Sequence, residues 1–207
     1  TIKSGMNVEQ FARAGEQRDQ VRQKLGYEPG DVVIGKIARL FHLKGHEELI
    51  RAATEVVQQQ PRARFLLVGD GILRAALEKQ IRQADLEDHF TFTGLVPPAE
   101  IPSLIGAMDV LVHTSLREGL ARALPQALIA GKPVVSYDVD GAREVVISDQ
   151  TGFLVPPRDI DALASALGTL STDPSLREKL GGEGQRRFTE LFRHQYMTSQ
   201  IRDVYHQ

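Results

Sequence analysis

Short β-branched apolar runs alternate with amphipathic stretches along the first three quarters of this chain. Residues 32–38 (VVIGKIA), 64–68, 89–93, 109–113, 134–137 and 152–155 read as strands. Between them, Leu49, Ile50, Ala53, Val56 and Val57 share one helical face before Pro61, and Leu73, Ala76, Leu77 and Ile81 share another over 72–84. Shorter helices are expected over 99–107 and 122–130, with a helical turn over 143–147. Strands separated by helices pair in parallel through right-handed crossovers, so the expected fold class is α/β, a doubly wound parallel sheet of Rossmann-like type. From residue 159 the pattern is helical only: 160–170, 174–180 and 186 to about 205, with Gly181, Gly182 and Gly184 expected to separate the last two.

Composition removes several function classes. At 207 residues the chain is long enough for a full core, and 42% hydrophobic with 25% charged residues is the balance of an ordinary folded domain. Its net charge of 25 − 27 = −2 gives no general attraction for nucleic acid, so any anion must be held locally. With no cysteine there is no disulfide, thiolate metal site or cysteine nucleophile. No apolar run approaches a membrane span of about 18 residues and no signal peptide opens the chain, so a cytoplasmic location is expected. The first residue is Thr1, which suggests a fragment.

Ligands of an open parallel sheet bind beyond the carboxyl ends of its strands, which directs attention to the loops there. The first carries Arg39, His42, Lys44 and His46, a cationic cluster suited to two phosphates. The second is Gly69-Asp70-Gly71, but Arg74 stands where a dinucleotide fingerprint needs its third glycine, and Gly131-Lys132-Pro133 is no Walker loop. The third, Gly94 to Pro98, is a proline-stiffened turn whose free backbone groups can read the edge of a flat ring. The fourth runs from Ser115 through Glu118, Gly119 and Leu120 into a helix start, where the amides of Ala121, Arg122 and Ala123 are free donors at a positive dipole end. A carboxylate beside such cations suits a ligand that is both phosphorylated and polyhydroxylated. His42 and His46 have the spacing of two ligands on a helix face, but with Gly45 between them and no third ligand near, no metal is assigned. His113 ends the fourth strand on the same rim.

Six blocks in register resemble the C-terminal, donor-binding domain of family 4 retaining glycosyltransferases of GT-B fold: GKIARLFHLKGHEELIRAA, FLLVGDGILRAALE, FTGLVPPAEIPSLIGAMDVLVHTSLREGL, ALIAGKPVVSYDVDGAREVV and TGFLVPPRDIDALASAL, preceded by TIKSGMNVEQF as an interdomain connection. The resemblance implies that residues 1–15 are that connection, 16–185 the nucleotide-sugar-binding domain, and 186–207 a helix packing toward a missing N-terminal acceptor-binding domain across an apolar patch. It implies that Arg39 and Lys44 bind the diphosphate of the donor, and that Glu118, the first Glu of an E-x7-E motif, meets donor-sugar hydroxyls. The amides around Ala121, Arg122 and Ala123 would meet the phosphates, the backbone at Val96 would contact the base, Gly69 and Gly71 would line the same cleft, and Gly119 and Leu120 would also bind donor. The second Glu of the motif is replaced by Gln126, which as an amide accepts from one ribose hydroxyl and donates to the other. No cofactor beyond the nucleotide-sugar and no metal is implied, and the full protein could sit at the inner face of a membrane. The alternatives are a sugar-nucleotide epimerase of the same fold and a non-catalytic sugar-nucleotide or protein-binding module.

Overall fold

All six strands fall within a residue or so of their sequence positions, in a computed structural model that describes residues 4–205. They are β1 (Val32–Ile37), β2 (Ala63–Val68), β3 (Phe90–Gly94), β4 (Val110–His113), β5 (Val134–Tyr137) and β6 (Gly152–Val155). All neighbours are parallel, in the order β3-β2-β1-β4-β5-β6, so the strand order reverses between β1 and β4. The doubly wound α/β class is therefore the one observed. The strand β1 registers with β2 from Val32 to Ile37, but with β4 only at Ile34 and Gly35, so a crevice opens above that pair.

The α-helices are α1 (Val8–Ala12), α2 (Arg18–Lys24), α3 (His46–Gln59), α4 (Arg74–Gln83), α5 (Ile101–Ala107), α6 (Ala123–Ile129), α7 (Ile160–Thr172), α8 (Pro174–Leu191) and α9 (His194–Tyr205). Side chains on opposite faces of the sheet feed two cores. Ile34 and Phe65 meet Leu49, Ile50 and Val56 of α3 and Leu163 and Leu167 of α7. Val33 and Leu66 meet Phe11 of α1, Ile105 of α5, Leu128 of α6 and Phe188 of α8. The starts of α7 and α8 are capped by Asp159 and Asp173, which accept from the amides of Ala162 and Leu176 at 2.9 Å each. Among the described residues no helix is long and apolar enough to cross a membrane.

Three expectations need correction. No break occurs at Gly181, Gly182 and Gly184; α8 runs through them, and the chain turns instead at Phe192 and Arg193. Close packing explains it, because a Cβ on Gly181 would collide with the carbonyl oxygen of Gly131, and one on Gly184 would press on Leu128. These glycines let α8 lie against α6. The helical turn expected over 143–147 is a 3-10 turn at Asp140–Glu144, begun by Asp140 at φ 45°. Ahead of β1 the sequence reading had no element, yet α1 and α2 form there, and Met6, Val8 and Phe11 are buried in the second core. Residues 1–3 of the expected connection and 206–207 of the expected terminal helix lie outside the described residues. The boundary expected at 185/186 falls inside α8. Beyond it, α9 exposes Tyr196, Ile201, Val204 and Tyr205.

The two kinds of glycine in α8 respond oppositely to a methyl group. Gly181→Ala is expected to destabilise the domain by about 1–3 kcal/mol through overpacking against α6. Gly182→Ala, with open space around it, is expected to stabilise by about 0.5–1 kcal/mol through helix propensity. Urea unfolding of the two variants checks both signs.

Candidate functional site

The loop leaving β1 is shaped by backbone contacts rather than by its charges. Leu40 is fully buried and its amide donates to the Asp70 carbonyl at 2.9 Å, tying this loop to the one after β2. Gly69, at φ 136°, leaves no room for a Cβ beside the Ala38 carbonyl, and a Cβ on Gly71 would strike that of Leu40. Both glycines therefore act as the floor beneath the Arg39 loop. Arg39 itself is exposed, lies over the Phe41 ring at 5.9 Å and makes no ion pair among the described residues. His46 is buried with Nε2 at 3.0 Å from the Arg39 carbonyl oxygen, while His42 is exposed, so the two do not face a common point.

Gly45 ends the loop in the left-handed region (φ 66°, ψ 40°) and caps α3; any Cβ there would meet the Thr114 carbonyl. This corner sets Lys44 opposite Glu118, with which it forms an ion pair. Glu118 comes from the loop after β4, where Ser115 Oγ donates to its Oε1 at 3.3 Å and its own amide donates to Asp140 Oδ2 at 2.7 Å. The helix expected from Arg122 starts one residue later, at Ala123. Among the described residues the amides of Ala121, Arg122 and Ala123 have no acceptor.

A cleft of about 260 Å³ lies at the β1–β4 reversal, lined by Ile37, Ala38, Arg39, Lys44, His113, Glu118, Ala121, Arg122, Ala123 and Gln126. Seven sequence candidates thus share one cleft: Arg39, Lys44, Glu118, Ala121, Arg122, Ala123 and Gln126. Gly69, Gly71, Val96, Gly119 and Leu120 are not part of its lining; Val96 and Leu120 pack on the second core, and Gly119 accepts from the Gly141 amide at 3.1 Å. Burial, with Lys36 and Lys44 nearby, pushes the imidazole of His113 down to about 3, so it is neutral near pH 7, and its buried Nε2 has no partner. Cations, free amides and one carboxylate around a small crevice can grip a diphosphate while accepting hydroxyl hydrogen bonds. Among the described residues, no three His, Asp or Glu side chains are grouped so as to hold a metal ion.

Sequence reading passed over Lys36, Thr114 and Asp140. Lys36 was absorbed into an apolar strand, though a lysine in a central strand is itself a signal. Asp140 lies 22 positions from its partner Glu118, beyond local pattern.

Known proteins resemble this chain in sequence and in fold. The family model described as "Glycosyl transferases group 1" matches residues 17–187. A 2-deoxystreptamine N-acetyl-D-glucosaminyltransferase of Streptomyces fradiae is 34% identical over 168 residues, covering 80% of this chain and 40% of its own. Anabaena HepE, solved in complex with UDP, superposes with a TM-score of 0.91 at 29% identity, over 99% of this chain and 56% of that one. The C-terminal domain of a group 1 family protein, LpcC, from Francisella tularensis superposes with a TM-score of 0.83 at 27% identity, over 92% of this chain and all of that one. The chain spans about half the length of the curated relatives it matches.

Proposed function

The chain belongs to the group 1 glycosyl transferases, and from that premise we propose that it is the donor-binding half of a retaining glycosyltransferase, holding a nucleotide-diphosphate-sugar in the β1–β4 cleft. The observation that carries this reading is the convergence of Arg39 and Lys44 from one loop with Glu118, the free amides of Ala121 to Ala123 and Gln126 from another. Arg39, Lys44 and those amides bind the diphosphate, Glu118 accepts from sugar hydroxyls, and Gln126 addresses the ribose diol. The UDP held by HepE supports a nucleotide as the ligand class.

In the proposed reaction the bond from the anomeric carbon to the diphosphate oxygen breaks and its electron pair leaves with the diphosphate. The acceptor hydroxyl then adds to the same face of the oxocarbenium-like sugar, and its proton passes to the departing phosphate. Charge grows on the diphosphate as the bond lengthens. Arg39, Lys44 and the amides stand where that charge develops and stabilise it without reorganising. The acceptor site belongs to a further N-terminal domain, and the transfer proceeds without a metal.

Calorimetric titration with UDP, GDP and ADP, with and without a chelator, tests the reading. One nucleotide is expected to bind, unaffected by the chelator, and Arg39→Ala to weaken it about 10- to 100-fold, the worth of charged hydrogen bonds. Failure of all three to bind, or an unchanged affinity in Arg39→Ala, would count against a diphosphate at this cleft; loss of binding in chelator would count against transfer without a metal.

A further inference from the structure

Lys36 lies in β1 at the centre of the sheet, among Ile34 and Gly35 of its own strand and Leu67 of β2, and is fully buried. A lysine there adds nothing to packing that an aliphatic residue would not, and burying its amine is costly. Its Nζ donates to Thr114 Oγ1 at 2.7 Å, crossing the crevice above the last registered pair of β1 and β4. Thr114 Oγ1 in turn donates to the Gly45 carbonyl at 2.5 Å, with that of Lys44 at 3.3 Å. An ammonium has three protons to donate, and Thr114 is its one acceptor among the described residues.

We propose that Lys36 is a positioning residue of the donor site, a strut across the crevice that fixes the Lys44–Gly45 corner through Thr114 and takes up a proton when a diphosphate enters the cleft. The proposal rests on the donor-binding reading above.

The groups facing Lys36 decide the sign. Glu47, Glu48 and His46 approach from α3, Lys44 and Glu118 from the two loops, and His113 from β4, while β2 offers apolar Leu67. Burial is the largest influence and brings the Lys36 amine down to about 7; Lys44 pushes the same way, and Glu48, Glu118 and Glu47 oppose it. His46 and His113 are both held at about 3, mainly by burial, and stay neutral across the neutral range. A bound diphosphate replaces the single negative charge of Glu118 at Lys44 with a larger one, and that change favours the protonated amine. Affinity is then full below about pH 7 and falls as pH rises from there to the higher value of the complex.

The test is calorimetry of the 207-residue chain with UDP-glucose and GDP-mannose, whose diphosphates do not titrate over this range, from pH 6 to 9 in buffers of different ionisation heat. The fold of the F. tularensis domain, solved by itself, supports using the chain alone. Wild-type protein is expected to take up a fraction of a proton above about pH 7, and its affinity to fall about tenfold for each unit by which binding raises the amine. Lys36→Met is expected to abolish the uptake, flatten the pH profile and weaken binding. If that variant does not fold, the ¹³Cε resonance of Lys36 in the wild type reports the same midpoint, free and bound. Binding without proton uptake, or uptake unchanged in Lys36→Met, overturns this proposal alone. No binding of either sugar nucleotide by the wild type overturns the donor reading and this inference with it.

Discussion

Replacing Asp109 with alanine is expected to lower the stability of the domain by about 2–4 kcal/mol, the cost of leaving two partly buried cations and the Val33 amide without their acceptor. Asp109 enters β4 from the edge opposite the cleft. Its Oδ1 accepts from Arg18 at 2.5 Å, and its Oδ2 from Arg22 at 2.5 Å and from the Val33 amide at 2.7 Å, with only 13% of the side chain exposed. The two guanidiniums also donate to the carbonyls of Gly106, Met108 and Ala107, so one carboxylate fastens α2 to the end of α5 and the start of β1. Burial alone would raise the Asp109 carboxyl, but Arg18, Arg22 and the Val33 amide outweigh it and hold the group below 3.8. A carboxyl depressed on folding contributes stability that is full above its unfolded value and is lost as pH falls through the folded one. Urea unfolding at pH 7 and again below pH 4 should therefore show the wild type losing this contribution in acid, while Asp109→Asn shows no such dependence at this site. An Asp109→Ala variant within 1 kcal/mol of wild type at pH 7 would show that the arginines find water instead.

Glu118→Ala is expected to separate the grip on phosphate from the recognition of sugar. Glu118 is paired with Lys44, so an arriving diphosphate must displace a carboxylate. Its removal frees the ammonium, and affinity for a bare nucleoside diphosphate should hold or rise. Affinity for the matching nucleotide-sugar should instead fall about 10- to 100-fold relative to the bare nucleotide, because hydroxyls that donated to a charged acceptor lose it. Competition between UDP and UDP-glucose, or GDP and GDP-mannose, reads the ratio directly. Equal losses for both would place Glu118 in the structure of the loop, through Ser115 and its amide bond to Asp140, rather than in sugar recognition.

What was legible in the sequence, and what was not, divides by range. The strands were readable because a buried parallel strand is a local apolar run, and β5 and β6 fall on the expected residues. Arg39, Lys44 and Glu118 were readable because each sits just past such a run, where sheet geometry brings loops together. Gly181 misled because a glycine in a helix signals either a break or a close approach, and Gly131, the contact that decides, is 50 positions away. The helices before β1 were missed because their short apolar pattern, Val8 with Phe11 and Val21 with Leu25, acquires meaning only against α5 and α6. Asp109 showed no signal, since its arginines lie 87 and 91 positions away.

The reversal of strand order between β1 and β4 also divides the cleft between two halves of the chain. In the proposed reading, Arg39 and Lys44 hang from the half made of β1 to β3, whereas Glu118, Gln126 and the phosphate-facing amides of Ala121 to Ala123 hang from the half made of β4 to β6. The two sets meet at the Lys44–Glu118 ion pair. Side-chain changes at Gln126 would therefore alter how the ribose is met while Arg39, Lys44 and the backbone amides stay in place, so one such scaffold can change part of its cargo without relearning how to hold the phosphates.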